Sequence, residues 1–274
     1  DALKIMVNTF YGANANPYIS YGDMGVGLTI TSVARFLIVS AVDIIRSRHG
    51  KDAVVYVHTD GINTNVDVDE QWLTGRLQQL LKHQIPHSES QHIDMDKDEY
   101  NEGVWIQIGN YILRNLDGSV TKHGSTFKSK SRSIFYNTVL NKLADARLDN
   151  TVTRGFVDRL YNLEEYKLED FIMRRSSNRG YDEYKSDTDL MVSLMNQGKS
   201  IGIEPCEGTT YFYARCKEGF VLKESIATID AIDMRYYWDV VSNLLMKFGL
   251  NEHVKRKPPL TMLDKKQRSL AEWI

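Results

Sequence analysis

The chain has 274 residues, 42% hydrophobic and 26% charged, with a formal net charge of −2. That length buries a sizeable core and accommodates two compact units; the composition is that of an ordinary soluble protein, and the near-neutral charge excludes a global pull toward nucleic acid, so any such surface is local. Two cysteines, Cys206 and Cys216, exclude a disulfide framework and a cysteine-based zinc site, and they fit a reduced, intracellular setting.

The histidines, His83, His87 and His92 among them, lack the context of a metal motif. No secretory signal or membrane span is read. The longest apolar stretch, Leu28 to Ile45, is interrupted by Arg35 and Asp43 and is expected to be a buried helix. The chain begins with Asp1 and runs straight into helical composition, as expected for the C-terminal part of something larger or one half of a split protein.

In chain order, Asp1 to Tyr11 has helix-forming composition and stops at Gly12. Lys4 and Asn8 lie four apart on one face, with Tyr11 three further along the same stripe. Such a stripe suits a phosphate-bearing ligand and a stacked base, while its spacing alone favours a solvated helix face. Ala13 to Gly27 is a Gly/Asn/Tyr-rich connection, and a helix over Leu28–Arg46 carries bulky apolar residues on most sides, which predicts packing beneath a sheet. Two β-prone runs then flank the polar elbow His58-Thr59-Asp60-Gly61, which predicts a hairpin turning at Asp-Gly with the Asp60 carboxylate on a rigid outward tip, a place to grip a metal ion. From Asp69 to Gln84, Trp72, Leu73, Leu77, Leu80 and Leu81 give an amphipathic helix.

Two motifs carry a resemblance. Lys4-Ile-Met-Val-Asn8-Thr-Phe-Tyr11-Gly12 resembles the Lys-x-x-x-Asn-Ser-x-Tyr-Gly motif of family B DNA polymerases. Some forty residues on, with a helix between, Tyr56-Val57-His58-Thr59-Asp60-Gly61 resembles the Tyr-Gly-Asp-Thr-Asp-Ser motif of that family. The resemblance implies nucleotidyl transfer from a deoxynucleotide to a primer–template, using two magnesium ions. It implies that Lys4 neutralises the triphosphate as a catalytic and substrate-binding residue, that Asn8 lies by the same phosphates with Thr59 in the substrate-binding set, and that Tyr11 checks the nascent base pair. Asp60 matches a catalytic metal ligand, whose partner aspartate belongs to a motif preceding this chain. His58 stands where the family has its first aspartate, and Gly61 and Thr9 replace serines.

Asp94, Asp96, Asp98, Glu99 and Glu102 surround Lys97 and read as a solvated loop or edge strand, with a metal site as the alternative. Val104 to Leu113, followed by Asp117-Gly118, predicts a further hairpin. Where family members carry Lys-Lys-Arg-Tyr, this chain has Ile108-Gly109-Asn110-Tyr111, and Tyr111 alone matches as a DNA contact. The acid-free segment with Lys122, Lys128, Lys130 and Arg132 suits phosphate-backbone contacts. It resembles the family's Lys-x-x-Gly segment.

From Ser133 the pattern is helical: Phe135, Val139, Leu140 and Leu143, then Phe156, Leu160 and Leu163, with Leu168–Arg175 and Tyr184–Gln197 following. A strand is expected over Thr209–Arg215 and a long helix over Ile232–Phe248. This order resembles the family's thumb, with Arg174, Arg175 and Arg179 as backbone-contact candidates. After a basic Lys255–Pro259 linker, Gln267, Leu270, Trp273 and Ile274 resemble the peptide that docks into sliding clamps, with Leu270 and Trp273 as apolar plugs.

The expectation is therefore an α+β fold: a partial polymerase palm, an antiparallel sheet with packed helices, followed by a mainly helical thumb. Residues 1–130 form the end of the fingers and partial palm, 131–250 the thumb, and 251–274 a basic tail. Expected partners are primer–template DNA, deoxynucleotides, a chain or cleaved segment carrying the N-terminal half, and a sliding clamp, at replicating DNA inside the cell and without a membrane. The competing expectation is a catalytically degenerate polymerase copy kept as a DNA- and clamp-binding scaffold, motivated by His58.

Overall fold

The computed structural model describes residues 9, 12–14, 16, 18–20, 22–84, 93, 95–184 and 189–257. Internal packing divides the chain into two compact units, 1–99 and 100–274. The fold is mixed helix and antiparallel sheet, an α+β arrangement.

In unit 1, helix α1 spans Met24–His49. It is capped by Asp23, whose carboxylate accepts from the Gly25 and Val26 amides, and it stops at Gly50, which takes φ 96° and donates its N–H to the Arg46 carbonyl. A single 3₁₀ turn, Lys51–Ala53, leads into β1 (Val54–His58), which pairs antiparallel with β2 (Gly61–Thr64). Helix α2 (Glu70–Gln84) begins where the Asp69 carboxylate accepts from the Trp72 amide at 2.9 Å. The core here is small: Ala41 and Ile45 of α1, Ala53 and Val54 below the hairpin, and Leu73 and Leu77 of α2. Arg48 lies over the Trp72 ring at 4.3 Å, tying the end of α1 to α2.

Burial of α1 differs from its expected place beneath a sheet. Only Gly27, Ala41 and Ile45 are buried, while Met24, Val26, Leu28, Ile30, Phe36 and Val39 are exposed, Leu28 by 60%. The unit 1 core takes apolar side chains of α1 from Leu37 onward, and at its other end Asn14 accepts from the amide of the Asp23 cap at 3.2 Å. By length and composition this helix is long and apolar enough to cross a membrane. Of the acidic cluster, Glu99 is bridged by Lys97, which also bridges Asp67; this holds the Asp67 carboxyl below the usual range and raises Lys97. Asp94 lies outside the described residues.

Unit 2 opens with the sheet β3 (Tyr100–Gln107), β4 (Asn110–Asn115) and β5 (Val120–His123), in that order. The hairpin expected after Val104–Leu113 is thus two turns, one at Ile108-Gly109 and one at Asp117-Gly118. Next come a short helix α3 (Ser125–Lys128), α4 (Ile134–Leu148) and α5 (Arg154–Leu160). Ile112 of β4 packs with Phe135, Val139, Leu140 and Leu143 of α4 in one core, which also takes Phe171, Tyr237, Val241 and Leu244. This is why the packing boundary lies after residue 99; the boundary at 130, drawn by resemblance between palm and thumb, is of a different kind.

The remainder is less helical than its sequence pattern. Leu168–Phe171 is one 3₁₀ turn and Met173–Ser176 is a strand, β6, paired with β7 (Thr210–Cys216), which pairs with β8 (Gly219–Leu222). Helix α6 (Leu190–Ser200) packs Met191, Leu194 and Met195 against Tyr211 and Tyr213 of β7. Helix α7 (Met234–Lys247) starts from Asp233 and buries Tyr237, whose hydroxyl donates to the Phe171 carbonyl at 3.1 Å. Both cysteines are free thiols, Cys206 exposed and Cys216 buried.

Candidate functional site

The β1–β2 hairpin carries the first candidate group. His58 pairs with Gly61, so the two-residue loop is Thr59-Asp60, one position earlier than an Asp-Gly turn. Thr59 takes φ 54°, and Gly61 is an ordinary strand residue. A positive φ at the first central residue alone is the type II′ pattern, which matches the right-handed twist of the flanking strands. The base of the hairpin is closed by Asn65 donating its amide to the Ala53 carbonyl at 3.0 Å, and Val54 and Ile62 seat it on the unit 1 core.

At the tip, His58, Thr59 and Asp60 are all exposed. The Thr59 hydroxyl and His58 Nδ1 share a hydrogen bond of 2.9 Å, and the imidazole lies parallel to Tyr56 with centroids 6.2 Å apart. These contacts fix the imidazole, and the Asp60 carboxylate projects beside it without a partner among the described residues. Its hard oxygens suit magnesium. Among the described residues no three His, Cys, Asp or Glu side chains converge on a metal position; Asp60 has the chemistry of a single carboxylate ligand. Lys4, Asn8 and Tyr11, the other residues expected at this site, lie outside the described residues.

The second candidate is the basic segment in unit 2. Its geometry is set by two residues that sequence reading passed over. The buried Asn110 side chain donates to the Ile108 carbonyl at 3.2 Å and accepts from the Thr126 amide at 2.8 Å, joining the β3–β4 turn to α3. Gly124, at φ 103°, passes so close to the Gly109 carbonyl and to Asn110 that a side chain there would overlap them. A glycine between a strand and a basic segment is the signal that could have marked this approach.

The expected DNA contacts divide in this frame. Lys122 is engaged inside the protein, bridging Asp145 at 2.8 Å and donating to Asn141 at 2.9 Å. Arg132 donates to the Thr126 carbonyl and lies over the Tyr136 ring at 4.5 Å. Tyr111 stacks on its cross-strand neighbour His123, centroids 4.7 Å apart. Lys128 and Lys130 are exposed and unpaired among the described residues. The segment is tied to β6 by the Arg174 amide, which donates to the Ser131 carbonyl at 3.1 Å. Arg174 and Arg175 are thereby brought beside it, and both are exposed. The clamp-like residues Gln267, Leu270, Trp273 and Ile274 lie outside the described residues.

Comparison with solved structures finds a similar fold. The family B DNA polymerase from the hyperthermophilic archaeon Pyrobaculum calidifontis matches with a TM-score of 0.58 at 18% sequence identity, over 94% of this chain and 33% of that one. The fold is similar to part of a family B DNA polymerase. The chain spans about a third of the length of that neighbour. No protein-family model matches the chain, and no curated protein does.

Proposed function

We propose that the chain is the palm-and-thumb portion of a DNA-directed DNA polymerase, completed by an N-terminal half that supplies the partner of Asp60. The observation that carries this reading is the unpaired Asp60 carboxylate on a rigid hairpin tip, in a chain matched over nearly its whole length to a polymerase fold. Asp60 and the partner's aspartate would hold magnesium, which when bound lowers the barrier to attack of a primer 3′-hydroxyl on a deoxynucleotide. The described residues of this chain orient and hold. The hairpin aims the carboxylate, and Lys128, Lys130 and Arg174 neutralise phosphates of the primer–template. Lys4, Asn8 and Tyr11 are proposed for the nucleotide, and the C-terminal Gln267–Ile274 peptide for a sliding clamp.

The need for a second half is supported by α1. A helix apolar on most sides, as this one is, is stabilised in water by covering those sides. Two of its exposed threonines spend their hydroxyls on the helix's own backbone: Thr29 donates to the Gly25 carbonyl at 2.8 Å and Thr31 to the Leu28 carbonyl at 2.9 Å. A lipid bilayer would cover such a helix too, but Arg35 is exposed midway along it, and a central arginine costs an inserted helix about 2.5–3.5 kcal/mol. A protein surface with an acidic or hydrogen-bonding group opposite Arg35 offsets the cost of taking it out of water.

The test is primer extension by the chain reconstituted with the N-terminal half. Asp60→Ala is expected to lower extension by more than about 100-fold, since even outer-shell partners of a metal are worth 10–100-fold. Extension unchanged by that substitution removes the catalytic reading. His58 favours a second reading, a DNA-binding polymerase copy without activity. Template binding by an intact pair that never extends primers would establish it.

A further inference from the structure

The face of the β6–β7 ladder turned away from α6 carries an unexplained aromatic. Phe212 is 43% exposed, although its neighbours Tyr211 and Tyr213 are 2% and 7% exposed. Strand alternation makes the reason plain: the tyrosines face α6 and Phe212 faces out. Directly across the ladder from Phe212 stands Arg174, so the two share a face. Their Cβ atoms are then about 4.5–5.5 Å apart. The next pair on that face is Ser176 and Thr210, whose hydroxyls are 2.7 Å apart. Beyond β6, the Ser131 carbonyl accepts from Arg174 N–H, with the Ser129 and Ser131 hydroxyls 2.8 Å apart and Lys128 and Lys130 exposed alongside. The Phe212–Arg174 face and the segment hydrogen-bonded alongside it thus carry one aromatic ring, three exposed cations and four hydroxyls.

We infer that Phe212 is a stacking platform for an unpaired nucleobase of single-stranded DNA, with Arg174, Lys128 and Lys130 on the flanking phosphates. The inference rests on the nucleic-acid reading of the basic segment and extends it from the backbone to the bases. Charge selects the occupant. An apolar protein partner would leave three cations facing it without counter-charges, whereas a nucleotide strand supplies phosphates at that spacing and a π-face for the ring. The platform is rigid, because the opposite side of the same strand is packed against Met191, Leu194 and Met195. Blunt duplex DNA has no unstacked interior base to offer, so the ring discriminates by strandedness.

Binding of the full chain to a fluorescein-labelled 20-nucleotide single strand and to the blunt duplex of the same sequence, at one fixed salt concentration, tests this. Phe212→Ala is expected to weaken single-strand binding by about 5- to 150-fold, to leave duplex binding within about twofold, and to unfold at the same temperature as the parent. Phe212→Trp is expected to restore the loss. Equal single-strand affinity in Phe212→Ala, with DNA bound by both proteins, overturns the platform and leaves the polymerase reading standing. A parallel loss for both DNAs also overturns it, since the residue would then act through the fold. A parent chain that binds neither DNA overturns the nucleic-acid reading of the whole segment. A parent that is dimeric where Phe212→Ala is monomeric assigns the ring to contact between copies instead.

Discussion

The two units handle apolar surface in opposite ways. Unit 2 turns its large side chains inward: Phe135, Leu143, Phe171 and Leu245 are all fully buried, from two helices and a 3₁₀ turn distant in sequence. Unit 1 buries a few residues at the junction of α1, α2 and the hairpin and leaves six large apolar side chains of α1 in solvent. A two-stranded sheet is marginal by itself in water, and this one carries the candidate metal ligand. The difference teaches that unit 2 has the core of an independent domain, whereas unit 1 has one side of a core.

The largest expected effect contrasts one leucine in each unit. Leu143→Ala should destabilise unit 2 by about 2–5 kcal/mol in urea melts, through lost contacts and a cavity. Leu28→Ala in the isolated chain should change stability by no more than about 0.5 kcal/mol, because the side chain has little to lose. A Leu28 effect as large as that of Leu143 would break the contrast. Rising pH gives a second, smaller test. Burial raises the Cys216 thiol and the phenols of Tyr136, Tyr166, Tyr211, Tyr213, Tyr236 and Tyr237, all in unit 2. Folded values above the unfolded ones mean stability is full below about pH 8.5 and falls as these groups ionise in the unfolded chain. Thermal melts should therefore show unit 2 weakening above about pH 9. In unit 1 the Asp67 carboxyl is shifted with the opposite sign: its contribution is present above the ordinary carboxylate value and is lost as pH falls from there through its depressed value. The smallest effect is electrostatic. Lys128→Ala and Lys130→Ala should each reduce the salt slope of DNA binding by about one, with little change in melting temperature. Lys122→Ala, by contrast, should leave an unpaired Asp145 and show mainly in stability.

Much of this was legible from local pattern. Alternation around His58–Gly61 gave the hairpin, and the apolar spacing from Ile232 to Phe248 gave α7, because both signals lie within one element. The strand β6 was hidden. Met173–Ser176 is four residues long and pairs with β7 more than thirty residues later, so its hydrogen bonds have no local signature. Lys122 and Arg132 looked like phosphate ligands because their partners, Asp145 and the Thr126 carbonyl, are brought to them by folding. Phe212 was within reach: a phenylalanine between two tyrosines in a strand must face the other way. The apolar α1 misled for a physical reason. Its composition predicts burial, and among the described residues most of its apolar side chains are exposed instead.

Thr59 has a consequence beyond the shape of its turn. At φ 54° a β-branched residue occupies backbone space that glycine fills without cost, and such a residue carries about 1–3 kcal/mol of strain. Selection for folding alone would place glycine at the first loop position. Threonine instead narrows the range of loop shapes and spends its hydroxyl on His58, so Asp60 projects from a loop with little freedom to reorient. Part of the hairpin's stability has been exchanged for a fixed carboxylate, and a more stable tip would be a less well aimed one.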